Sequence, residues 1–292
     1  MIGVALAILS AATSAISVVL VRKYSNHSST FNISLAISWI GILVLWPLAL
    51  IFTDFSLANI VSILLFALSG ILTPGFVRLL YYHGMKKLGA SVNSSLFSIY
   101  PLYTSLLALL FLSEILAPSN WAGILMVFLG GILMEWSNRE ANNQNKHSRK
   151  DLIYPVIGGI ALGVGSILRK YALNQFDAPV LGVAIAYTTS LLPFLLILMF
   201  SEPTRKGLSL KRDVRLFWVA GVGQAITWML SFYALSYDDV SVITPLLSIE
   251  PVFVALFAYY YLRKIEHVSP KLVLSIVLTV LGVVLVTAKF NF

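Results

Sequence analysis

Apolar runs of about 20 residues alternate with short polar loops ten times along the chain, at 2–21, 32–52, 59–82, 91–112, 119–136, 152–168, 179–200, 214–235, 241–262 and 270–288. Each is long enough to cross a hydrocarbon core about 30 Å thick as an α-helix. The pattern predicts an all-α membrane protein with ten transmembrane helices. The longest polar stretch, 137–151, falls at the middle. It reads as a mobile linker between one five-helix unit, 1–136, and a second, 152–292.

The two units carry matching marks in the same order. Arg22-Lys23-Tyr24 corresponds to Arg169-Lys170-Tyr171, Ser91-Val92 to Ser241-Val242, and Leu96-Phe97-Ser98-Ile99-Tyr100-Pro101 to Leu246-Leu247-Ser248-Ile249-Glu250-Pro251. Glu114, Pro118 and Gly130 correspond to Glu266, Pro270 and Gly282 after a two-residue insertion. An ordered series of this kind implies duplication. With an odd number of spans in each unit, the second enters the membrane from the opposite side, so the repeats are inverted. Proline-marked interruptions at matching places in two halves point to a central binding site, because freed backbone groups are tolerated only where protein or a cavity covers them.

Composition agrees with a chain that lives in lipid. Hydrophobic residues make up 59% and charged residues only 11%, against about 25% charged in soluble domains, and the mean hydropathy is +0.90. There is no cysteine, which excludes disulfides, thiolate metal sites and cysteine nucleophiles. The first apolar run lacks a basic leader and is followed by Arg22-Lys23 rather than by a small-residue cleavage site, so it reads as a span and not as a signal peptide. The net charge of +8 resides in short loops beside lipid headgroups and implies no nucleic-acid partner. Of the 20 basic residues, sixteen fall on the side of the loops after spans 1, 3, 5, 7 and 9, three (Arg169, Lys170, Lys289) on the opposite side, and Arg78 deep within a span. By the positive-inside rule this places both termini outside the cell membrane.

Two antiparallel five-helix units, each with a short turn before its fourth span, a proline within that span, then an acidic residue and a glycine-bearing final helix, resemble the EamA-type branch of the drug/metabolite transporter superfamily. Phe111-Leu112-Ser113-Glu114 keeps the family's Phe-Leu-Gly-Glu-like phrase, while the second copy, Tyr261-Leu262-Arg263-Lys264-Ile265-Glu266, is stretched. The resemblance implies secondary transport of small metabolites, most often export, through a cavity formed by helices 1 to 4 and 6 to 9. It also implies cytoplasmic termini, against the loop charges.

Ionisable groups inside hydrocarbon are costly and mark functional positions. Counted from the nearest span ends at 1.5 Å per residue, Arg78 lies about 12 Å deep and Glu250 about 15 Å deep from the opposite face. Both therefore fall near the midplane. The two can bind the carboxylate and the ammonium of a zwitterion such as an amino acid. Glu250 can instead carry a coupling proton that competes with the solute, or the two can simply pair, or Arg78 can snorkel to its interface. Positions 150 apart set Trp228 opposite Arg78 and Glu250 opposite Tyr100, which predicts a chemically asymmetric cavity. Gln224, Tyr82, Trp39 and Ser98 are further candidates for its polar and aromatic walls. Tyr81, Tyr82 and Trp136 also suit the interfacial aromatic belt. Serines and threonines of span 1 serve either a cavity or helix packing, the four glycines of span 6 indicate close packing, and the almost purely aliphatic spans 5 and 10 face lipid or a partner.

No nucleophile with its base, aspartate pair or set of metal ligands occurs in the spans, so an intramembrane enzyme is the weaker reading, and no organic cofactor or metal is implied. Export of cationic drugs driven by protons, and lipid or solute binding without transport, are the alternatives. A monomer is the favoured working unit.

Overall fold

The structure, a computed structural model, describes residues 1–55, 58–97, 100–114, 116–141, 149–261 and 270–287. Helix is the only regular structure among them. In chain order the helices are α1 (Ile2–Tyr24), α2 (Thr30–Phe52), α3 (Ile60–Gly70), α4 (Val77–Leu88), α5 (Ala90–Phe97), α6 (Tyr100–Phe111), α7 (Pro118–Ala141) and α8 (Ile153–Gln175). They continue with α9 (Pro179–Thr189), α10 (Leu191–Phe200), the short α11 (Glu202–Lys206), α12 (Leu210–Tyr237), α13 (Val240–Leu247), α14 (Glu250–Tyr261) and α15 (Pro270–Thr287). Seven helical stretches among the described residues are long and apolar enough to cross a bilayer: Ile2–His27, Thr30–Phe52, Ile60–Leu88, Lys150–Gln175, Pro179–Phe200, Leu210–Tyr237 and Val240–Phe257. Three shorter apolar helices accompany them, Tyr100–Phe111, Pro118–Leu133 and Leu274–Val286. The protein is an all-α, multi-pass integral membrane protein. Residues 142–148 of the expected linker, and Glu266 of the stretched second phrase, lie outside the described residues.

Local chemistry sets the helix ends. Ser29 Oγ accepts the amide of Asn32 at 3.1 Å to open α2, and Asn59 Oδ1 accepts that of Val61 at 2.8 Å to open α3, each occupying a donor that a helix start leaves without a partner. A longer-range cap closes on α13. Glu114, in the turn after α6, accepts the amides of Val240 and Ser241 at 3.0 Å each and the Ser241 hydroxyl at 2.5 Å. A carboxylate there also suits the positive end of the helix dipole.

Two interruptions fall inside apolar stretches. Between α3 and α4, residues Ile71–Phe76 wind as a π turn in which Thr73 leaves helical geometry (φ −141°, ψ 112°) beside Pro74. Thr73, Pro74 and Gly75 are all buried, as irregular backbone at membrane depth must be. Between α13 and α14, Ser248 and Ile249 form a turn flanked by Pro245 and Pro251. Here the Ser248 hydroxyl donates to Pro245 O at 2.7 Å, and the Tyr100 hydroxyl donates to Thr244 O at 2.9 Å. Glu250 consequently stands in the first turn of α14, with Pro251 where a missing amide costs least. The first copy of the repeated phrase places Tyr100-Pro101 at the start of α6 in the same way.

Lipid tails are as apolar as leucine, so close backbone approach rather than hydrophobic exclusion holds such helices together. The α7–α15 pair shows it. A Cβ on Gly123 would meet Gly282 O at 2.5 Å, and one on Gly282 would meet Gly123 O at 2.7 Å and Val127 N at 2.8 Å. These two helices, the expected aliphatic spans, thus bury one face against each other and leave residues such as Leu125, Leu129, Leu274 and Val284 exposed on the other. The glycines of α8 face aromatic and hydroxyl side chains of earlier helices, Gly158 against Phe97 and Gly163 against Thr104.

Several helix ends differ from expectation, and α7 runs past Trp136 to Ala141, into the expected linker. α1 runs on through Arg22 and Lys23 to Tyr24, and α8 runs past Leu168 to Gln175, so that Arg169 and Lys170 are buried helix residues rather than loop residues. Lys170 Nζ donates to Leu235 O at 2.9 Å and Asp238 O at 3.1 Å, filling acceptors left open at the end of α12.

A buried cavity as candidate solute site

Four helices present side chains at helical spacing to one cavity of about 150 Å³. From α1 come Ser10, Ala11, Ser14 and Val18; from α4, Val77, Arg78, Tyr81 and Tyr82. From α8 come Leu162, Ser166 and Arg169, and from α12, Gln224, Thr227, Trp228 and Ser231. Intervals of three and four keep such residues on one helix face. Glu250 and Ser248 close the cavity from the α13–α14 turn, Tyr100 from the start of α6, and Pro74 from the break before α4.

Glu250 is the one carboxylate lining the cavity among the described residues. Its two oxygens each accept a hydroxyl, Ser14 Oγ at 2.6 Å on Oε2 and Tyr81 Oη at 2.6 Å on Oε1. The carboxylate is thereby held from α1 and α4 while sitting on the N-terminal turn of α14. One lone pair on each oxygen remains for a further donor.

Arg78 is 5% exposed and turns toward α2 and α9. Nη1 donates to Ser38 Oγ at 2.7 Å, Ser38 in turn meets Ser190 at 3.1 Å, and the guanidinium carbon lies 4.7 Å from the centroid of the Tyr187 ring. Gly41 makes room for that ring, which occupies the place a side chain there would need. Nη2 of Arg78 is buried without a hydrogen-bond partner. No ion pair joins Arg78 to Glu250 among the described residues, and burial removes the snorkelling alternative for Arg78.

Arg169 is the cavity's second cation, and the sequence reading assigned it to a loop. It is 2% exposed. Nε donates to Gly165 O at 3.1 Å and Nη2 to Ser166 Oγ at 2.8 Å. Its guanidinium carbon lies 4.7 Å from the Trp228 ring and 5.5 Å from that of Phe232. The Trp228 and Tyr187 rings meet edge to face at 6.5 Å. The two guanidiniums are thus joined through a continuous aromatic wall, a setting in which stacked, desolvated cations gain most.

Of the residues expected at a central site, Arg78, Glu250, Trp228, Tyr100, Gln224 and Tyr82 line this single cavity. Trp39 does not. It projects from the outer side of α2 at 39% exposure. Ser98 lies outside the described residues. Tyr81, read as a belt residue, is instead a Glu250 ligand, and its spacing of three from Arg78 was the available signal. Ser14 is one of the span-1 hydroxyls for which a cavity role stood open, and Ser166 could have been found by periodicity.

A charged cavity lined by helices of a multi-pass membrane protein is the build that a membrane transporter needs. A profile of the EamA-like transporter family matches residues 1–136 and 150–288, and the chain belongs to that family, within the drug/metabolite transporter superfamily. It is a transporter and not an enzyme. No curated protein matches the chain. A solved crystal structure of a protein shares the fold with a TM-score of 0.73 at 17% identity, over 98% of this chain and 95% of that one.

Proposed function

We propose that the chain is a ten-span, inverted-repeat secondary transporter, most simply an exporter, of small metabolites such as amino acids. On this reading the units 1–136 and 152–292 rock against each other about the cavity, which opens alternately to either side. Two observations support it: three shorter apolar helices accompany the seven long ones, and the family profile meets the chain in two blocks of similar length. The single observation that carries the reading is a carboxylate and a guanidinium lining one buried cavity without pairing. Unpaired buried charges are costly unless something complements them. A zwitterionic solute does so, its carboxylate on Arg78 and its ammonium on Glu250.

Size and sign weigh against cationic drugs. Drug-sized ligands occupy sites of about 300 Å³ or more, twice the volume found here, and two guanidiniums with one carboxylate repel a cation. Counterflow of labelled amino acids into liposomes holding the purified protein tests the proposal. Wild type concentrates label when loaded with unlabelled solute, and Arg78→Ala and Glu250→Gln lose most of that uptake while remaining folded. Undiminished uptake by both variants removes the cavity from the transport path, and saturable binding without uptake makes the protein a binder rather than a transporter.

A further inference from the structure

The cavity holds more positive charge than a neutral zwitterion can balance. Arg78 and Arg169 both line it, against Glu250 alone. Neither arginine has a carboxylate partner among the described residues, and both are at least nine-tenths buried. Nη2 of Arg78 has no partner, and the hydrogen bonds of Arg169 run from Nε and Nη2 to its own helix. An acid bound at Arg78 with its ammonium at Glu250 still leaves one guanidinium uncompensated in a medium where that is costly.

We propose that the transported solute carries two carboxylates and one ammonium, an acidic amino acid such as aspartate or glutamate, with Arg169 reading the second carboxylate. This rests on the transport reading above and adds its substrate class. The match is one of charge and placement. A solute of net charge −1 neutralises a cavity of net charge +1. The two guanidiniums lie over different rings, Arg78 over Tyr187 and Arg169 over Trp228, which gives each its own platform for a carboxylate. A volume of about 150 Å³ suits a compact solute. Arg169 is fixed from below by its own helix through Ser166 and Gly165, which preorganises the guanidinium for a carboxylate.

The test is a competition in liposomes holding the full-length protein and loaded with aspartate, glutamate, asparagine, glutamine or alanine in turn, with labelled aspartate and labelled glutamine outside. The expected result is counterflow of the acids about tenfold or more above their amides, the effect of one charge-assisted hydrogen bond. Arg169→Gln is expected to bring acids and amides within about twofold of each other, and Arg169→Lys to restore part of the preference. A purely structural role for Arg169 lowers both uptakes together and leaves their ratio unchanged, which overturns the assignment. Amides exchanging as fast as acids in the wild type overturn the inference and leave the transport reading intact. Amide exchange that requires chloride assigns the second guanidinium to an inorganic anion and overturns it too. If no amino acid exchanges at all, both fall.

Discussion

At the scale of single residues, the cavity depends on how its charges are held. The two hydroxyls on Glu250 come from different helices, Ser14 on α1 and Tyr81 on α4, so the carboxylate's aim records the relative position of both. A hydrogen bond to a charged group contributes about 1.5 to 3 kcal/mol. Tyr81→Phe is therefore expected to weaken solute affinity by about tenfold or more with little change in folded yield, read as a rise in the half-saturating concentration of counterflow. Unchanged affinity would mean that Tyr81 only fills space. The sequence revealed Arg78 and Glu250 because charges inside apolar runs stand out, and Trp228 and Tyr100 because they lie 150 positions from those two. It concealed Arg169 for a physical reason. A charge near the end of an apolar run reads as the end of the span, whereas here Ser166, a backbone carbonyl and two aromatic faces shelter it inside the helix. Trp39 was misjudged because an aromatic residue in a span suits lipid and cavity alike.

At the scale of elements, the repeated proline phrase has a structural meaning. Each copy sets a polar side chain, Tyr100 or Glu250, at the first turn of an apolar helix. Gln224 and Trp228 of α12 were legible, Thr227 and Ser231 share their face by period, and the serines of α1 were open between cavity and packing. The cap on α13 was not, because Glu114 reaches an element 126 positions away and nothing local announces it. Glu114→Ala removes three acceptor contacts, and helix caps contribute about 0.5 to 2 kcal/mol. The variant is expected to unfold at lower temperature in detergent, by about 2 kcal/mol or somewhat more given the charge on the acceptor, with the loss partly restored in Glu114→Gln. An unshifted melting curve would show that α13 starts without this carboxylate.

At the scale of the whole molecule, burial of Arg169 and Lys170 sharpens the charge asymmetry across the bilayer. With both withdrawn from the poorer side, only Lys289 remains there against sixteen basic residues on the other. The positive-inside rule predicts a cytoplasmic loop at Lys206 and an external turn after Gln175. The cysteine-free chain allows a direct check. Gln175→Cys in intact cells is expected to react with a membrane-impermeant maleimide, and Lys206→Cys only after the membrane is opened. The reverse pattern would give the cytoplasmic termini that the family resemblance implies.

The same background gives the most direct test of a cavity that serves both sides of the membrane. Ser231 lines the cavity at 6% exposure, and Ser231→Cys changes one atom. In oriented vesicles, an impermeant methanethiosulfonate applied from either face is expected to modify this cysteine, and a transported solute to protect it from both. Modification from one face alone, or none from either with a folded protein, would contradict alternating access at this site.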